Sequence, residues 1–378
     1  MKITISPYEP EDILSVKRFN QRLNDANEHY LFPENNISKK FPKTQNPTLY
    51  QEYFLAKDDE GEVRGGYSFI NQEFNINNQL IEVSFLKLPL SEGIINKKYI
   101  NTGALIIEDV QKRKELIFAL GMGGFDNPLP KMLKRIGWPM YTVPFYFYII
   151  NQNKFLNEFE YLKVLKKSFL KNLILTIIKY VGGLYFLKML IFLYTTCYRM
   201  LNFKKFNNIK IEVFEEFSSF ADELWVQNKN YYSFSAKRDS EALNILYPKE
   251  MSKFSKLKII KNGTCIGWVV LIITKMEHDK FFGNLRLATI VDAFSKPIYS
   301  DIVIYESVKY CIKNNADLIV SNNSNINWGK QYFNNGFIKG PSNFILALSK
   351  KFKRLFNNQV DFENSFIMRG DGDGPINL

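Results

Sequence analysis

Short apolar runs separated by turn residues fill the first 150 residues and predict alternating strands and helices. Glu52–Ala56 and Glu62–Phe74 flank the turn Asp58–Gly61, so they predict a hairpin. Leu80–Leu88 predicts a further strand, and apolar positions at helical spacing predict a helix over Thr102–Lys114. The pattern then predicts a buried strand, a short helix and an aromatic strand at Glu115–Gly121, Pro128–Ile136 and Thr142–Ile150.

The same order of elements returns in the second half of the chain. Its predicted strands are Ile209–Phe214, Leu257–Ile260, Thr264–Ile273, Leu285–Ala293, Asp317–Ser321, Phe344–Leu348 and Asp361–Met368. Its predicted helices are Glu216–Asn230, Asp301–Asn314 and Trp328–Asn335. The repeated order predicts two copies of one mixed α/β unit, with domains at 1–160 and 209–378 and a connector at 161–208.

The connector contains the longest apolar stretch, Phe169–Leu201, and lysines interrupt it. Four of them recur at multiples of four and form a stripe along one helix face: Lys163, Lys167, Lys171 and Lys179. A basic stripe opposite an apolar face is typical of a helix lying in a membrane interface, so residues 163–201 predict contact with a membrane surface. Packing of this segment inside the protein and true insertion stay open as alternatives.

The amino-acid composition limits the classes of ligand and site that the protein can have. The 378 residues suit two domains, and a formal charge of +12 favours phosphate-rich ligands, anionic lipid or tRNA. The two histidines and three cysteines are isolated in the sequence, so we expect no metal site and no disulfide framework. The start of the chain lacks the apolar core of a signal peptide, which favours a reducing, cytoplasmic location.

Two short motifs carry a family resemblance. The first, Lys98–Ala104, lies between a strand and a helix, where small residues let backbone N–H groups approach a phosphate. The second, Tyr332–Phe337, reads Tyr-Phe-Asn-Asn-Gly-Phe. Together with the order of elements, they resemble the GNAT acyltransferases. That resemblance implies an acyl-CoA co-substrate held by Lys98, Asn101, Thr102, Gly103 and Ala104, and it implies that Tyr332 protonates the departing thiolate.

Each half also departs from the family pattern. Asn101 stands where the family loop has its first glycine, and Leu133 stands where the first half would carry the tyrosine. The second half has Ser295–Ser300 at its phosphate-loop position, without any glycine. Neither half therefore contains a complete conventional site.

A wider set of segments is similar to bacterial tandem-GNAT proteins that occur with surface-polysaccharide synthesis. These segments are Val63–Tyr67, Pro89–Gly93, Leu120–Gly124, Trp138 with Val143–Phe145, and the tail Arg369–Pro375. The resemblance covers both halves of the chain and implies two tandem GNAT-like domains.

Acyl transfer to an amine also needs a base, and carboxylates at strand ends are natural candidates. Glu92 follows the strand Leu80–Leu88, and Asp292 ends the strand Leu285–Ala293. Gly121–Gly124 follows a buried strand and could bind an anion, although it lacks the lysine and hydroxyl of a P-loop. The tail Arg369–Pro375 is a flexible end, a substrate or domain contact, or a partial calcium loop.

These observations predict an acyl-CoA-dependent N-acyltransferase, with acetyl-CoA or another acyl-CoA as donor. We expect the acceptor to be an amino group on a small molecule, such as an amino sugar in cell-surface polysaccharide synthesis, or on a lipid-linked saccharide. We expect the site to face the cytoplasm, at the inner face of the membrane. Two alternatives remain: a Fem-like transferase that uses aminoacyl-tRNA, and a GNAT-fold binding protein without catalysis.

Overall fold

A computed structural model describes residues 2–28, 30–34, 49–158, 193, 206–279, 281–359 and 361–372. Nearly all of the predicted connector at 161–208 lies outside these residues, and so does the predicted membrane-contact helix. The described helices are α1 (Ile13–Asp25), α2 (Thr102–Arg113), α3 (Pro128–Arg135), α4 (Gln152–Glu158), α5 (Ser219–Asn228), α6 (Ser240–Leu246), α7 (Ser300–Lys313), α8 (Ile326–Asn334) and α9 (Lys350–Gln359).

Two compact units divide the chain, and each is made of separate segments. Unit 1 contains Met1–Thr142, Tyr232–Ile245 and Asn343–Phe362, and unit 2 contains Val143–Tyr231, Leu246–Ser342 and Glu363–Leu378. The boundaries 1–160 and 209–378 describe the repeat in the sequence, whereas the compact units take segments from both halves.

Unit 1 is built on an eight-stranded sheet. Its strands are β1 (Thr4–Pro7), β2 (Leu49–Lys57), β3 (Val63–Ile76), β4 (Gln79–Ser91), β5 (Ile117–Gly121), β6 (Met140–Thr142), β9 (Phe234–Ala236) and β15 (Ile345–Leu348). The order is β1-β2-β3-β4-β5-β15-β6, and β9 pairs with the far end of β3. Only β4 and β5 are parallel among these described pairs.

Unit 2 is built on a seven-stranded sheet with the same plan. Its strands are β7 (Phe145–Ile149), β8 (Ile209–Phe214), β10 (Phe254–Lys261), β11 (Thr264–Lys275), β12 (Arg286–Ser295), β13 (Leu318–Asn322) and β14 (Ile338–Gly340). The order is β14-β7-β13-β12-β11-β10-β8, and β12 with β13 is the parallel pair. Two sheets with helices confirm the predicted mixed α/β class.

The two halves of the chain exchange strands: unit 2 takes β7 from the first half, and unit 1 takes β9 and β15 from the second. β7 comes from the first half but lies between β13 and β14 in unit 2. β15 comes from the second half but lies between β5 and β6 in unit 1. Each sheet is therefore completed by a strand from the other half of the sequence.

Helices cover both faces of the unit 1 sheet because each presents an apolar stripe. Val16, Phe19 and Leu23 of α1 follow helical spacing and are buried in one core cluster. Ile106 and Val110 of α2 are buried in a second cluster, which includes Tyr67, Phe69 and Leu133. Burial on both faces fixes the strand register, since a slip by one residue would turn the apolar side chains out of the core.

The structure corrects several sequence predictions. The segment predicted as a strand at Asp361–Met368 instead contains a 3₁₀ turn at Phe362–Asn364. Ser324 Oγ holds the residues that follow by donating to Ser365 O and accepting from Ile367 N (both 2.9 Å), and Met368 bridges to Asn323. The strand at Phe344–Leu348 is present as β15, but in the sheet of unit 1. The sequence analysis missed α1, α4, α6, α9, β1, β6, β9 and β14.

Candidate functional site

The parallel strand pair of each unit stays hydrogen-bonded over only a short length. In unit 1, β4 and β5 pair at Ser84↔Ile117 and Phe85↔Phe118, although β4 continues to Ser91. In unit 2, the last pair of β12 and β13 is Ile290↔Ser321, although β12 continues to Ser295. Beyond these last pairs, the two strands no longer hydrogen-bond to each other. Their backbone N–H and C=O groups can therefore pair with an extended ligand lying between the strands. We call these two places the unit 1 opening and the unit 2 opening.

A β-bulge lies beside each opening. In β4, Leu88 and Pro89 interrupt the register with β3, and Leu88 has a φ of 48°. In β12, Val291 is the extra residue between the partners of Val270 and Leu271. A bulge leaves a residue out of the ladder and redirects its backbone groups. Both openings therefore have irregular backbone next to them.

The unit 1 opening leads into a folded loop that ends at the start of α2. The loop makes 3₁₀ turns at Glu92–Ile94 and Lys97–Tyr99. Its turns are capped from within: Ser91 Oγ accepts from Gly93 N (3.1 Å), and Asn96 Oδ1 accepts from Lys98 N (3.0 Å). The sequence predicted this loop as the phosphate site, and the structure places it directly after the bulged strand.

The first turn of α2 is open and favours an anion. Asn101 precedes the helix without a side-chain cap, and the first turn contains no acid. A β-carbon on Gly103 would meet only Ser91, at 3.8 Å, so space remains above this position. Lys98 is exposed in the preceding turn. Uncapped N–H groups, the helix dipole and a nearby lysine all favour a bound phosphate.

The corresponding turn of unit 2 is unfavourable to a phosphate. Asp301 lies in the first turn of α7, where a carboxylate repels a second anion. Ser300 Oγ donates to Pro297 O at 2.7 Å, so this hydroxyl is already engaged. The first helix turn therefore favours phosphate binding in unit 1 and disfavours it in unit 2.

Glu92 lies buried in an ionic network at the base of the unit 1 loop. Its side chain is only 3% exposed, with Arg22 Nη2 3.0 Å from one oxygen and Arg64 Nη1 3.1 Å from the other. Arg64 also donates to Asp58 at 2.7 Å and lies 4.4 Å from the ring of Tyr99. The network therefore links Arg22, Asp58 and Arg64 to the loop that contains Glu92 and Tyr99. The role of Glu92 as a base stays a prediction.

The ionic network also sets the titration of Asp58. Burial opposes its charged form, but hydrogen bonds from Arg64 and from two backbone N–H groups outweigh this effect and lower the pKa of Asp58. A lowered pKa stabilises the folded chain above the pKa of the unfolded state, and this contribution is lost as the pH falls.

Asp292 and Tyr332 both lie in unit 2, on strand β12 and helix α8. Asp292 lies two residues past the last β12–β13 pair and accepts from Tyr247 Oη at 3.2 Å. The Tyr332 hydroxyl lies 2.8 Å from that of Ser321, and its ring stacks on Tyr146. Burial, with a smaller contribution from Asp292, raises the pKa of Tyr332, so the phenol keeps its proton. All of these side chains are buried.

The C-terminal segment fills the unit 2 opening. Arg369 Nε donates to Asn322 Oδ1 at 2.8 Å at the end of β13, and Met368 bridges to Asn323. On the other strand, a β-carbon on Gly370 would lie 2.1 Å from Tyr247 Oη and 3.0 Å from Asp292 Cβ. The first part of the predicted tail is therefore packed between the separated strands, and residues 373–375 lie outside the described residues.

The glycines of Gly121–Gly124 have a conformational explanation. Gly121, Gly123 and Gly124 have φ of 94°, 71° and 120°, and Met122 between them has 54°. Glycine reaches these values without steric cost. Asn127 Nδ2 donates to Met122 O at 2.8 Å and closes the turn. The anion-binding role of this loop stays a prediction.

Within the described ranges, no group of three His, Cys, Asp or Glu side chains is placed to hold a metal ion. No helix in the same ranges combines the length and apolar character needed to cross a membrane. The sequence reasoning missed Arg22, Arg64 and Tyr247, which contact the predicted carboxylates. Their partners lie 70, 28 and 45 residues away in the chain, so no local motif marks them.

We expect Arg64→Gln to lower the free energy of unfolding by about 3 kcal/mol, because it leaves two buried carboxylates without their shared cation. Equilibrium denaturation with urea measures this change. Arg18→Gln is the matched control, since Arg18 is 55% exposed and pairs with Glu62; its loss should cost at most about 1 kcal/mol. Equal effects of the two variants would contradict the described role of Arg64.

We expect Gly370→Ala to push the C-terminal segment out of the unit 2 opening, because its methyl group would overlap the buried Tyr247 hydroxyl. Trypsin should then cleave after Arg369 faster than in the unmodified chain. Adding Tyr247→Phe removes the overlapping oxygen and should restore slow cleavage. Gly103→Ala is the control, since a β-carbon there meets only Ser91 at 3.8 Å, and faster cleavage at Arg369 in that variant would contradict the explanation.

No protein-family model and no curated protein matches the sequence. Solved structures do match the fold. A conserved protein of unknown function from Enterococcus faecalis V583, described as a probable N-acyltransferase, aligns with a TM-score of 0.54 at 8% identity, over 94% of this chain and 74% of that one. A GCN5-related N-acetyltransferase from Anabaena variabilis ATCC 29413 aligns with a TM-score of 0.52 at 6% identity, over 91% and 72%.

A third structure contains a GCN5-related glucosamine N-acetyltransferase region in a fungal multi-domain GH3 β-N-acetylglucosaminidase. It aligns with a TM-score of 0.50 at 12% identity, over 92% of this chain and 38% of that one. At these identities the likeness concerns the fold. The bulged strand, the opening after a short parallel pair and the helix that follows thus belong to a chain with the GNAT fold.

Proposed function

We propose that the protein is an acyl-CoA-dependent N-acyltransferase whose donor binds in unit 1. The observation that carries the proposal is the open first turn of α2, which follows a bulged strand and has Lys98 before it and no acid within it. The GNAT fold supports this class of reaction. The pyrophosphate of the donor would lie at Lys98, Asn101, Thr102, Gly103 and Ala104.

The reaction joins an amine to the thioester carbonyl. The amine nitrogen attacks the carbonyl carbon, the amine loses a proton, and the C–S bond breaks to release the CoA thiolate, which takes up a proton. At the bulge, the backbone N–H of Leu88 can stabilise the oxyanion; Pro89, the other bulge residue, has no N–H. We propose an amino group as the acceptor, and an amino sugar or a lipid-linked saccharide as its carrier.

The contacts of Glu92 favour a positioning role in this reaction. Both of its oxygens are engaged by arginines, and Arg64 carries the link to Tyr99 in the donor loop. Action of Glu92 as the base would need release from these arginines. Asp292 and Tyr332 could act only on a substrate admitted to the unit 2 opening, which the C-terminal segment fills.

A second candidate function is a GNAT-fold binding protein without catalysis. The filled unit 2 opening favours it, because a buried carboxylate and a buried phenol have structural partners there. A Fem-like transferase using aminoacyl-tRNA is the third reading, and the donor experiment below separates all three.

We expect acetyl-CoA to bind with a micromolar dissociation constant and Gly103→Trp to weaken binding by at least about 100-fold, because the indole would cover the helix start. Isothermal titration calorimetry measures both. Asp301→Trp is the matched control, since Asp301 holds the same position at the start of α7; it should leave binding unchanged.

Equal loss of binding in both variants, or in neither, would contradict a donor site in unit 1. Retention of aminoacyl-tRNA without any binding of acetyl-CoA would support the Fem-like reading. Absence of binding in both assays would support the non-catalytic reading.

A further inference from the structure

Seven positive side chains lie on two helices of unit 1. Helix α3 carries Lys131, Lys134 and Arg135, and helix α9 carries Lys350, Lys351, Lys353 and Arg354. All seven are exposed. We call this set the α3–α9 surface.

The two helices lie at the same place in unit 1. Strand β6 follows α3 and pairs with β15, which precedes α9, through Met140↔Ala347. Gly137, two residues past α3, is so close to Lys350 that a β-carbon there would lie 2.9 Å from Lys350 Cε. The cations of α3 and α9 therefore form one continuous surface.

Most of this charge is unbalanced. Asp126 lies 3.9 Å from Lys131, and Glu115 pairs with Lys351. Among the described residues, the other five cations have no carboxylate within ion-pair distance. Five like charges on one surface repel one another, and an anionic partner relieves that repulsion.

Apolar residues of α3 and α9 are buried, so their basic side chains face the solvent. Phe352 of α9 is fully buried and packs edge-to-face on Phe234, with ring centroids 5.4 Å apart. Leu133 of α3 is also fully buried. With their apolar residues fixed in the core, both helices turn their lysines and arginines to the solvent.

We propose that the α3–α9 surface docks unit 1 on an anionic lipid bilayer. Lysines predominate on it, and Phe125, in the loop just before α3, is 46% exposed. Basic side chains beside an exposed aromatic ring suit the headgroup region of a membrane. The sequence at 163–201, which is rich in both lysine and apolar residues, favours the same partner, because a bilayer accommodates both kinds of side chain whereas a nucleic acid attracts only the basic ones. This proposal does not depend on acyl transfer.

The experiment is flotation of the full chain with vesicles made of equal parts phosphatidylcholine and phosphatidylglycerol. The test variant combines Lys134→Gln, Arg135→Gln, Lys353→Gln and Arg354→Gln, whose side chains form no ion pair with any carboxylate that the structure describes. Removing four cations should lower the partition coefficient by about 100-fold or more at low salt. The matched control combines Lys17→Gln, Lys313→Gln, Lys330→Gln and Lys339→Gln, four exposed lysines on other parts of the surface. It has the same net charge and should float almost like the unmodified chain.

Three results would overturn the proposal. The test variant and the unmodified chain float equally, or the control loses as much as the test variant, or the unmodified chain does not float at all. A fourth result assigns another partner: the test variant loses binding to mixed tRNA while its flotation is unchanged. Thermal unfolding of both variants shows whether they remain folded, and acetyl-CoA titration should give the same affinity for all three proteins.

Discussion

The proposed donor site depends on where two parallel strands stop pairing. β4 and β5 share only two residue pairs, and after Phe85 and Phe118 the ladder ends. A sheet cannot leave this edge unpaired without a ligand, water or chain to satisfy it. In unit 2 the chain itself supplies the partner, since Met368, Arg369 and Gly370 lie between β12 and β13. The same fold thus offers an opening in one unit and closes it in the other.

Charge at the helix that follows the opening reinforces this difference. The start of α2 has no acid and no side-chain cap, whereas α7 begins with Asp301 in its first turn. Both helices have the same backbone dipole, so the side chains in the first turn determine whether phosphate binding is favourable. The ionic network of Arg64 with Glu92 and Asp58 holds the loop before α2 in place. Unit 1 therefore combines an open helix start with a rigid loop beneath it.

The sequence predicted much of the fold because local patterns determine it. Alternating apolar runs marked β3, β4, β11 and β12, and helical spacing marked α2 and α7. The exchange of β7 and β15 was not predictable, because adjacency in the sequence says nothing about which sheet a strand completes. The prediction of a strand at Phe344–Leu348 was correct, but the sequence did not indicate that this strand pairs with β5 and β6.

For the candidate site, too, the sequence indicated local motifs but not contacts between distant residues. Lys98–Ala104 could be proposed as a phosphate site from the sequence, because phosphate binding needs a local run of small residues before a helix. The contacts of Glu92 could not, because Arg22 and Arg64 approach it through tertiary structure. The glycines of the tail suggested flexibility, whereas Gly370 is needed for its close approach to Tyr247 and Asp292.

Amide hydrogen exchange with and without saturating acetyl-CoA tests the central claim most directly, because it locates the donor without any substitution. The account predicts slower exchange at the amides of residues 98–105, at the start of α2. It predicts unchanged exchange at residues 297–303, at the start of α7. Protection at α7 instead of α2, or no protection at either helix, would contradict a donor site in unit 1.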